Sequence, residues 1–324
     1  MLSLTDSQKR AVETISKEVL VLAGPGSGKT RTILGRLWYL LENHTPAETV
    51  AVVTFTQKAA LELHKRLKEM GLPSEKLFIG TIHSLAKNIL ENTGLSFQVA
   101  EDEEVIEILK EKGTKRPQKT LKELSLKRNL LQEDPLRQAM VEALKGKGLI
   151  DFDGLLETAI EAQKGHPIRN LEHILIDEVQ DLTPLQFEFI KTLSQERTSV
   201  FAVGDDDQSI YSFHGSSPEI MKLFTKTFQP CTVVVLQENF RNPLPVFKLA
   251  SGVISSNRNR FKKDILPLKK DGPKPRLYIF KRPEEEARFI ARQIKKLTGG
   301  TGYHDLSSTD HRSPSEFGVL VRTR

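Results

Sequence analysis

The 324-residue sequence predicts an α/β fold, a mostly parallel sheet flanked by helices. Three observations point there. Short apolar runs recur at residues 19–22, 50–55, 173–176, 200–203 and 232–236, each long enough for a strand covered on both faces and too short for a membrane span. Most are followed by a polar turn and then a helical pattern, the rhythm of β-α-β units. The first run breaks into a Gly-rich turn that ends in Gly-Lys-Thr.

Taken in order, Thr5-Asp6-Ser7-Gln8 has the spacing of a capping box, with Thr5 at the N-cap and Gln8 reaching back to it. The turn Ala23-Gly24-Pro25-Gly26-Ser27-Gly28 then lets successive backbone N–H groups point inward, and the following helix offers its positive N-terminus. That geometry binds phosphate. Lys29 would reach the β- and γ-phosphates and the Thr30 hydroxyl would ligate Mg²⁺. Ala23 stands where the usual pattern has Gly, with strand, turn and helix all retained.

A second strand at residues 50–55 leads into a helix capped by Thr56, and a third repeats the layout with Gly80, Thr81 and His83 in its turn. Polar and aromatic turns at the C-terminal ends of parallel strands are where open α/β sheets bind ligands. His83 is balanced between a structural histidine and a functional one. From Glu91 to Gly148 the rhythm stops. This stretch predicts an inserted helical subdomain without strands, with ten Lys or Arg against four Asp or Glu between Lys112 and Lys147. Such a face is either simply solvated or tracks a nucleic-acid backbone.

The α/β pattern resumes at LEHILIDEVQD. Adjacent carboxylates at a strand end are costly to hold together without a cation, so Asp177 fits a Mg²⁺ ligand and Glu178 a general base for water attack on the γ-phosphate. The next strand ends in Gly204-Asp205-Asp206-Asp207-Gln208, which brings Gln208 toward the γ-phosphate. Tyr211 and Phe213 follow, as core packing or as stacking surfaces for single-stranded bases. Arg241 lies just past the strand at 232–236, where it would either stabilise phosphoryl charge or pair with Glu238. Beyond Pro243 and Pro245 the sequence predicts a helix, a strand PRLYIF, a helix EEEARFIARQIKKL and a strand FGVLVRTR, with a mobile loop from Thr298 to Ser315.

A formal net charge of +6 favours a polyanionic partner. The single cysteine, Cys231, excludes an internal disulfide framework, and the N-terminus lacks the apolar core of a signal peptide. The expected location is the cytoplasm, with no membrane partner.

The ordered motifs LTDSQ, AGPGSGKT, TFTQKAA, GTIHS, DFDGLL, IDEVQD, VGDDDQSIY and ENFRNP together resemble the UvrD/Rep (PcrA-like) family of superfamily 1 DNA helicases, from Leu4 to about Pro243 and more weakly to VLVRTR. The resemblance implies a RecA-like P-loop NTPase that uses ATP and Mg²⁺ and translocates 3′ to 5′ on single-stranded DNA, or on DNA with a single-stranded tail. Its domains would be 1–90 with 149–242 as the ATP-binding domain, 91–148 as the inserted helical DNA-contacting subdomain, and 243–324 as the incomplete start of a second RecA-like domain. It implies that Gln8 reads adenine, that Phe240 stacks on the base, that Arg31 contacts the nucleotide, and that Gln208 and Arg241 sense the γ-phosphate. Thr54, Phe55, Gln57, Thr81, His83, Tyr211, Phe213 and His214 match positions lining the single-strand channel. Gln57 replaces the family's usual Asn, and Phe213-His214 replaces Trp-Arg, which reduces stacking area and exchanges a fixed charge for a titratable one.

The motifs that would complete a second RecA-like domain are absent from these 324 residues. Slow hydrolysis without unwinding by this chain alone is therefore expected. A different class, a nucleotide-gated DNA-binding module without productive turnover, is disfavoured by the intact Lys29, Asp177, Glu178, Gln208 and Arg241. A small-molecule kinase is disfavoured by the lack of any acceptor-pocket signal.

Overall fold

The structure, a computed structural model, describes residues 3–165, 171–194, 196–217, 219–258, 260–298 and 312–321. Helix α1 (Asp6–Val12), strand β1 (Glu18–Ala23), α2 (Lys29–Glu42), β2 (Val50–Thr54), α3 (Gln57–Glu69), β3 (Phe78–Thr81) and α4 (Ile82–Glu91) come first. Next are β4 (Gln98–Val99), α5 (Asp102–Glu111), α6 (Pro117–Asn129), α7 (Pro135–Gly146), β5 (Leu149–Ile150), α8 (Gly154–Gly165), β6 (His173–Ile176) and α9 (Pro184–Leu193). The described chain then runs through β7 (Ser199–Gly204), α10 (Glu219–Thr227), β8 (Cys231–Leu236), β9 (Glu238–Pro243), α11 (Leu244–Ile254), β10 (Leu266–Lys269) and α12 (Pro283–Leu297).

Six strands form one parallel sheet in the order β3-β2-β6-β7-β1-β8. The apolar runs are continuous because side chains alternate between two covered faces. In β1, Leu20 and Leu22 join the core under α4, α8, α9 and α10, while Val19, Val21 and Ala23 join the core under α2 and α3. The same alternation divides Val200 and Ala202 from Phe201 and Val203 in β7. The architecture is that of a RecA-like P-loop NTPase, with a parallel sheet between two helical layers. No described helix is long and apolar enough to cross a membrane.

The segment between α4 and α8 has its own small core of Val105, Ile108, Leu109, Leu124, Met140 and Leu144. One expectation is corrected there: β4 and β5 pair in parallel, although no strand was predicted between 91 and 148. A two-residue strand is too short to leave a pattern in the sequence.

By compactness the chain falls into two units, residues 1–273 and 274–324. In the first, β9 and β10 form a separate parallel pair; the polar sequence ENFRNP of β9 gave no strand signal. In the second, α12 carries Phe289 against Tyr278 and Phe280, with ring centroids 4.5 and 5.2 Å apart. The strands predicted at PRLYIF and FGVLV do not form among the described residues. Alternation supplies a face to bury, but a strand also needs a ladder partner, and Leu277, Ile279 and Leu320 are 86%, 87% and 99% exposed. Most of the loop predicted from Thr298 to Ser315, and residues 322–324, lie outside the described residues.

Candidate functional site

The C-terminal edge of the sheet collects the turns that the sequence singled out. The phosphate loop follows β1, with Gly26 at φ 71° and Gly28 at φ 87°. Those conformations cost glycine nothing and cost an L-residue with a side chain roughly 1 kcal/mol or more. At Gly26 close approach adds to conformation, because a Cβ there would come within 2.5 Å of Arg241 Cβ. The Phe240 N–H donates to the Gly26 carbonyl at 3.0 Å, so β9 is fastened to the loop and brings Phe240 and Arg241 to it, both exposed. Asn239, fully buried, orders this turn: its Oδ1 accepts from the backbone N–H groups of Arg241 and Asn242.

Gln8 does two things at once. Its Oε1 accepts from Thr5 N at 3.1 Å, completing the capping box, and its Nε2 donates to the Ser27 carbonyl at 2.9 Å. The capping reading holds, and the same side chain supports the phosphate loop. Arg31 is exposed and donates to the Ser3 carbonyl at 3.3 Å.

Three strand ends converge on Lys29. Its Nζ donates to Glu178 Oε2 at 2.6 Å and to Gln208 Oε1 at 3.5 Å. Glu178 adopts φ 55°, a left-handed conformation that a glutamate holds only where its surroundings enforce it. Gln180, almost fully buried, joins two of the strand ends: its Nε2 donates to Glu178 Oε2 at 2.9 Å and its Oε1 accepts from Asp205 N at 2.9 Å. Burial, and next the neighbouring Glu178 charge, push the Asp177 carboxyl up to about 7. A divalent cation would remove that penalty. The Asp177 carboxylate and the Thr30 hydroxyl, in the first turn of α2, are hard oxygen donors of the kind Mg²⁺ takes.

The neighbouring edge is aromatic. Phe55 and Tyr211 have ring centroids 4.9 Å apart and Tyr211 and Phe213 5.8 Å, while His83 stacks on Phe152 at 4.0 Å and 20°. Phe55, Gln57, Thr81, His83 and Phe152 line one cavity of about 740 Å³. Thr81 caps α4 through its hydroxyl, and His83 lies in the first turn of that helix, 3.7 Å from Asp153. Burial would raise the Asp153 carboxyl, but the neighbouring His83 and a hydrogen bond from the Ser125 hydroxyl hold it below its ordinary range. Thr54 is buried, and its hydroxyl donates to the Thr56 carbonyl, so that side chain shapes the turn from within. His214 closes a short 3₁₀ turn, and its side chain lies outside the described residues.

Sequence reasoning missed Phe152, Gln180, Asn239 and Lys263. The first three lie within quoted motifs, DFDGLL, IDEVQD and ENFRNP, but a buried amide or a lone Phe has no signature of its own. The basic insert also differs in part from a nucleic-acid face. Arg128, 2% exposed, is bound to Asp151 at 2.5 Å and Glu157 at 2.7 Å, and Arg137 bonds Glu157 at 2.6 Å.

A family profile described as an AAA domain matches residues 8–214. The chain belongs to that family and, within it, to the UvrD/Rep group. It is 32% identical to DNA helicase II of Escherichia coli strain K12, over 98% of this chain and 49% of that protein. It is 33% identical to the ATP-dependent DNA helicase Rep of Buchnera aphidicola subsp. Schizaphis graminum, over 99% and 53%. Against the ATP-dependent DNA helicase PcrA of Bacillus subtilis the identity is 30%, over 99% and 47%. The chain thus spans about half the length of these UvrD/Rep relatives.

Proposed function

We propose that this chain is the ATP-binding part of a UvrD/Rep-type helicase, and that it hydrolyses ATP in response to single-stranded DNA. The observation that carries the reading is the convergence on Lys29: the phosphate-loop lysine, the base Glu178 and the amide of Gln208 meet within 3.5 Å, beside an aromatic-lined cavity on the same sheet edge. Lys29 neutralises the β- and γ-phosphates, Glu178 takes the proton of the attacking water, and Gln208 with Arg241 faces the γ-phosphate. Mg²⁺, held by Thr30 and Asp177, would neutralise charge on the β- and γ-oxygens. Gln8, Arg31 and Phe240 surround the nucleoside end.

On the DNA side Phe55, Gln57, Thr81, His83, Tyr211, Phe213 and His214 face the strand, and Thr54 holds their turn in shape. On the motif resemblance we infer a cytoplasmic motor moving 3′ to 5′, with 1–90 and 149–242 as the ATP-binding domain, 91–148 as a DNA-contacting insert and 243–324 as the first part of a second domain. In this chain turnover is slow and unwinding does not occur without that second domain completed.

The test is steady-state ATP hydrolysis by the 324-residue chain, with and without a single-stranded oligonucleotide, at low salt where phosphate contacts are not screened. A low basal rate stimulated by DNA is expected. Binding of both ligands with no turnover would favour a nucleotide-gated DNA-binding module. Phe152→Ala, which removes the exposed ring stacked on His83, should weaken oligonucleotide binding by ~1–3 kcal/mol while leaving ATP affinity unchanged. Fluorescence anisotropy of a labelled oligonucleotide reads this, and unchanged affinity would remove Phe152 from the DNA path.

A further inference from the structure

The carboxylates of Asp205, Asp206 and Asp207 have oxygens within 4.8 Å of one another, a donor set that calls for a cation. The chain itself provides one. The Lys263 ammonium, with its side chain fully buried, bonds Asp205 Oδ1, reaches Asp206 Oδ1 at 2.5 Å and lies 2.8 Å from Asp207 Oδ2. Two neighbours complete the grip: Arg260 donates to Asp207 Oδ2 at 2.6 Å, and the Phe261 N–H donates to Asp206 Oδ2 at 2.6 Å. Burial alone would lower the Lys263 pKa, but the three carboxylates outweigh it and raise it.

Asp205 has a second oxygen, and that oxygen faces the nucleotide side. Its Oδ2 accepts from Gln208 Nε2 at 2.6 Å. An amide has one donor end and one acceptor end, so fixing Nε2 on Asp205 turns Oε1 the other way, toward Lys29 at 3.5 Å. Asp205 is in turn fixed through its own N–H, by Gln180. Lys263 therefore reaches the phosphate-loop lysine through two side chains, although it lies beyond α11. The stretch that carries it makes other contacts with the same site. Ile265 occupies the space that a Cβ on Gly24 would need, and β10 pairs with β9, which bears Phe240 and Arg241.

We propose that Lys263 is a positioning residue for Gln208: by pinning Asp205 from the segment 260–266 it sets the amide that faces the phosphates, so that the placement of this segment is felt at the nucleotide. This rests on the reading of Gln208 as a γ-phosphate contact. The competing account is an ion pair that merely holds the turn together. The two accounts separate in a double-mutant cycle, because residues acting through one another do not add.

The experiment measures kcat and KM for ATP hydrolysis by the 324-residue chain carrying Gln208→Ala, Lys263→Met, both together, or Lys263→Arg, with thermal unfolding of each. Lys263→Met should lower kcat by the same factor as Gln208→Ala, on the order of 10²-fold. KM should be unchanged, and the double variant should be no slower than Gln208→Ala alone. Lys263→Arg, which keeps the charge, should recover part of the rate. Because Lys263→Met leaves three carboxylates together, Lys263→Met/Asp206→Asn provides a variant with one charge fewer and Asp205–Gln208 intact.

Additive losses in the double variant, or wild-type kcat in a folded Lys263→Met, would overturn the proposal. Failure of Lys263→Met, Lys263→Arg and Lys263→Met/Asp206→Asn alike to fold would assign the residue to stability and overturn it equally, as would wild-type kcat in a folded Lys263→Met/Asp206→Asn. If the unaltered chain does not hydrolyse ATP, or if Gln208→Ala turns over like the unaltered chain, the parent reading of Gln208 fails, and this inference with it. If Gln208→Ala is slow and Lys263→Met is fast, only this inference fails.

Discussion

Glu178→Gln should stop ATP turnover while leaving ATP bound. The substitution is isosteric and keeps the backbone position at φ 55°, so the strand end is not rebuilt. What changes is basicity: a neutral amide cannot take the proton of the attacking water, and loss of a positioned general base costs ~10²- to 10⁴-fold in kcat. Binding follows the opposite logic. In the structure Glu178 holds Lys29 Nζ at 2.6 Å, in competition with the phosphates of ATP. Removing the carboxylate charge frees Lys29, so ATP affinity should hold or rise, whereas a base with no contact to Lys29 would show no such gain. Steady-state kcat together with equilibrium binding of a fluorescent ATP analogue checks both halves. An unchanged kcat would remove Glu178 as the base, and binding of ATP with no turnover by either protein would return the chain to the class of nucleotide-gated binding modules.

The reason this site could be read from sequence lies in how local its chemistry is. A phosphate loop must carry its glycines, lysine and threonine within a few residues of one strand, so AGPGSGKT states the geometry almost completely. IDEVQD and VGDDDQSIY place their groups at strand ends for the same reason, and the parallel order β6-β7-β1 brings them together. Gln8 was half legible: the capping box follows from spacing, but the bond to Ser27 depends on how α1 lies against the loop. Lys263 was not legible at all. Its partners are 56–58 residues away, and a lysine in NRNRFKKD looks like any solvated charge until the fold buries it. Phe152 shows the converse, a residue in a quoted motif whose meaning depends on His83 arriving from α4. The strands predicted at PRLYIF and FGVLV failed for a further reason. Alternation describes what a segment could bury, while pairing depends on a neighbour that the segment itself does not encode.

Arg128→Met should destabilise the chain by ~3–5 kcal/mol, because it removes one partner of a buried ion network and leaves the other charges behind. Arg128 belongs to α6 of the insert, and its partners Asp151 and Glu157 lie on the return to the sheet domain and on α8. Burial would lower the pKa of its guanidinium, and the bonds and charges of Glu157 and Asp151 reverse that. The figure belongs toward its lower end, since Glu157 is partly exposed and keeps Arg137 at 2.6 Å. In thermal unfolding the loss corresponds to a Tm lower by on the order of 10 °C. A double variant, Arg128→Met/Asp151→Asn, should recover part of it, because the cost is the orphaned carboxylate rather than the missing bond.

The consequence reaches beyond stability. One residue along α6, Asn129 accepts from the Thr183 hydroxyl at 2.9 Å and donates toward Asp153, the same carboxylate that approaches His83 in the aromatic-lined cavity. Loosening Arg128 should therefore weaken oligonucleotide binding and its stimulation of ATP hydrolysis at temperatures well below Tm. A variant that lost stability but kept full DNA stimulation would show that the insert is anchored by Arg128 yet communicates with the cavity by another route.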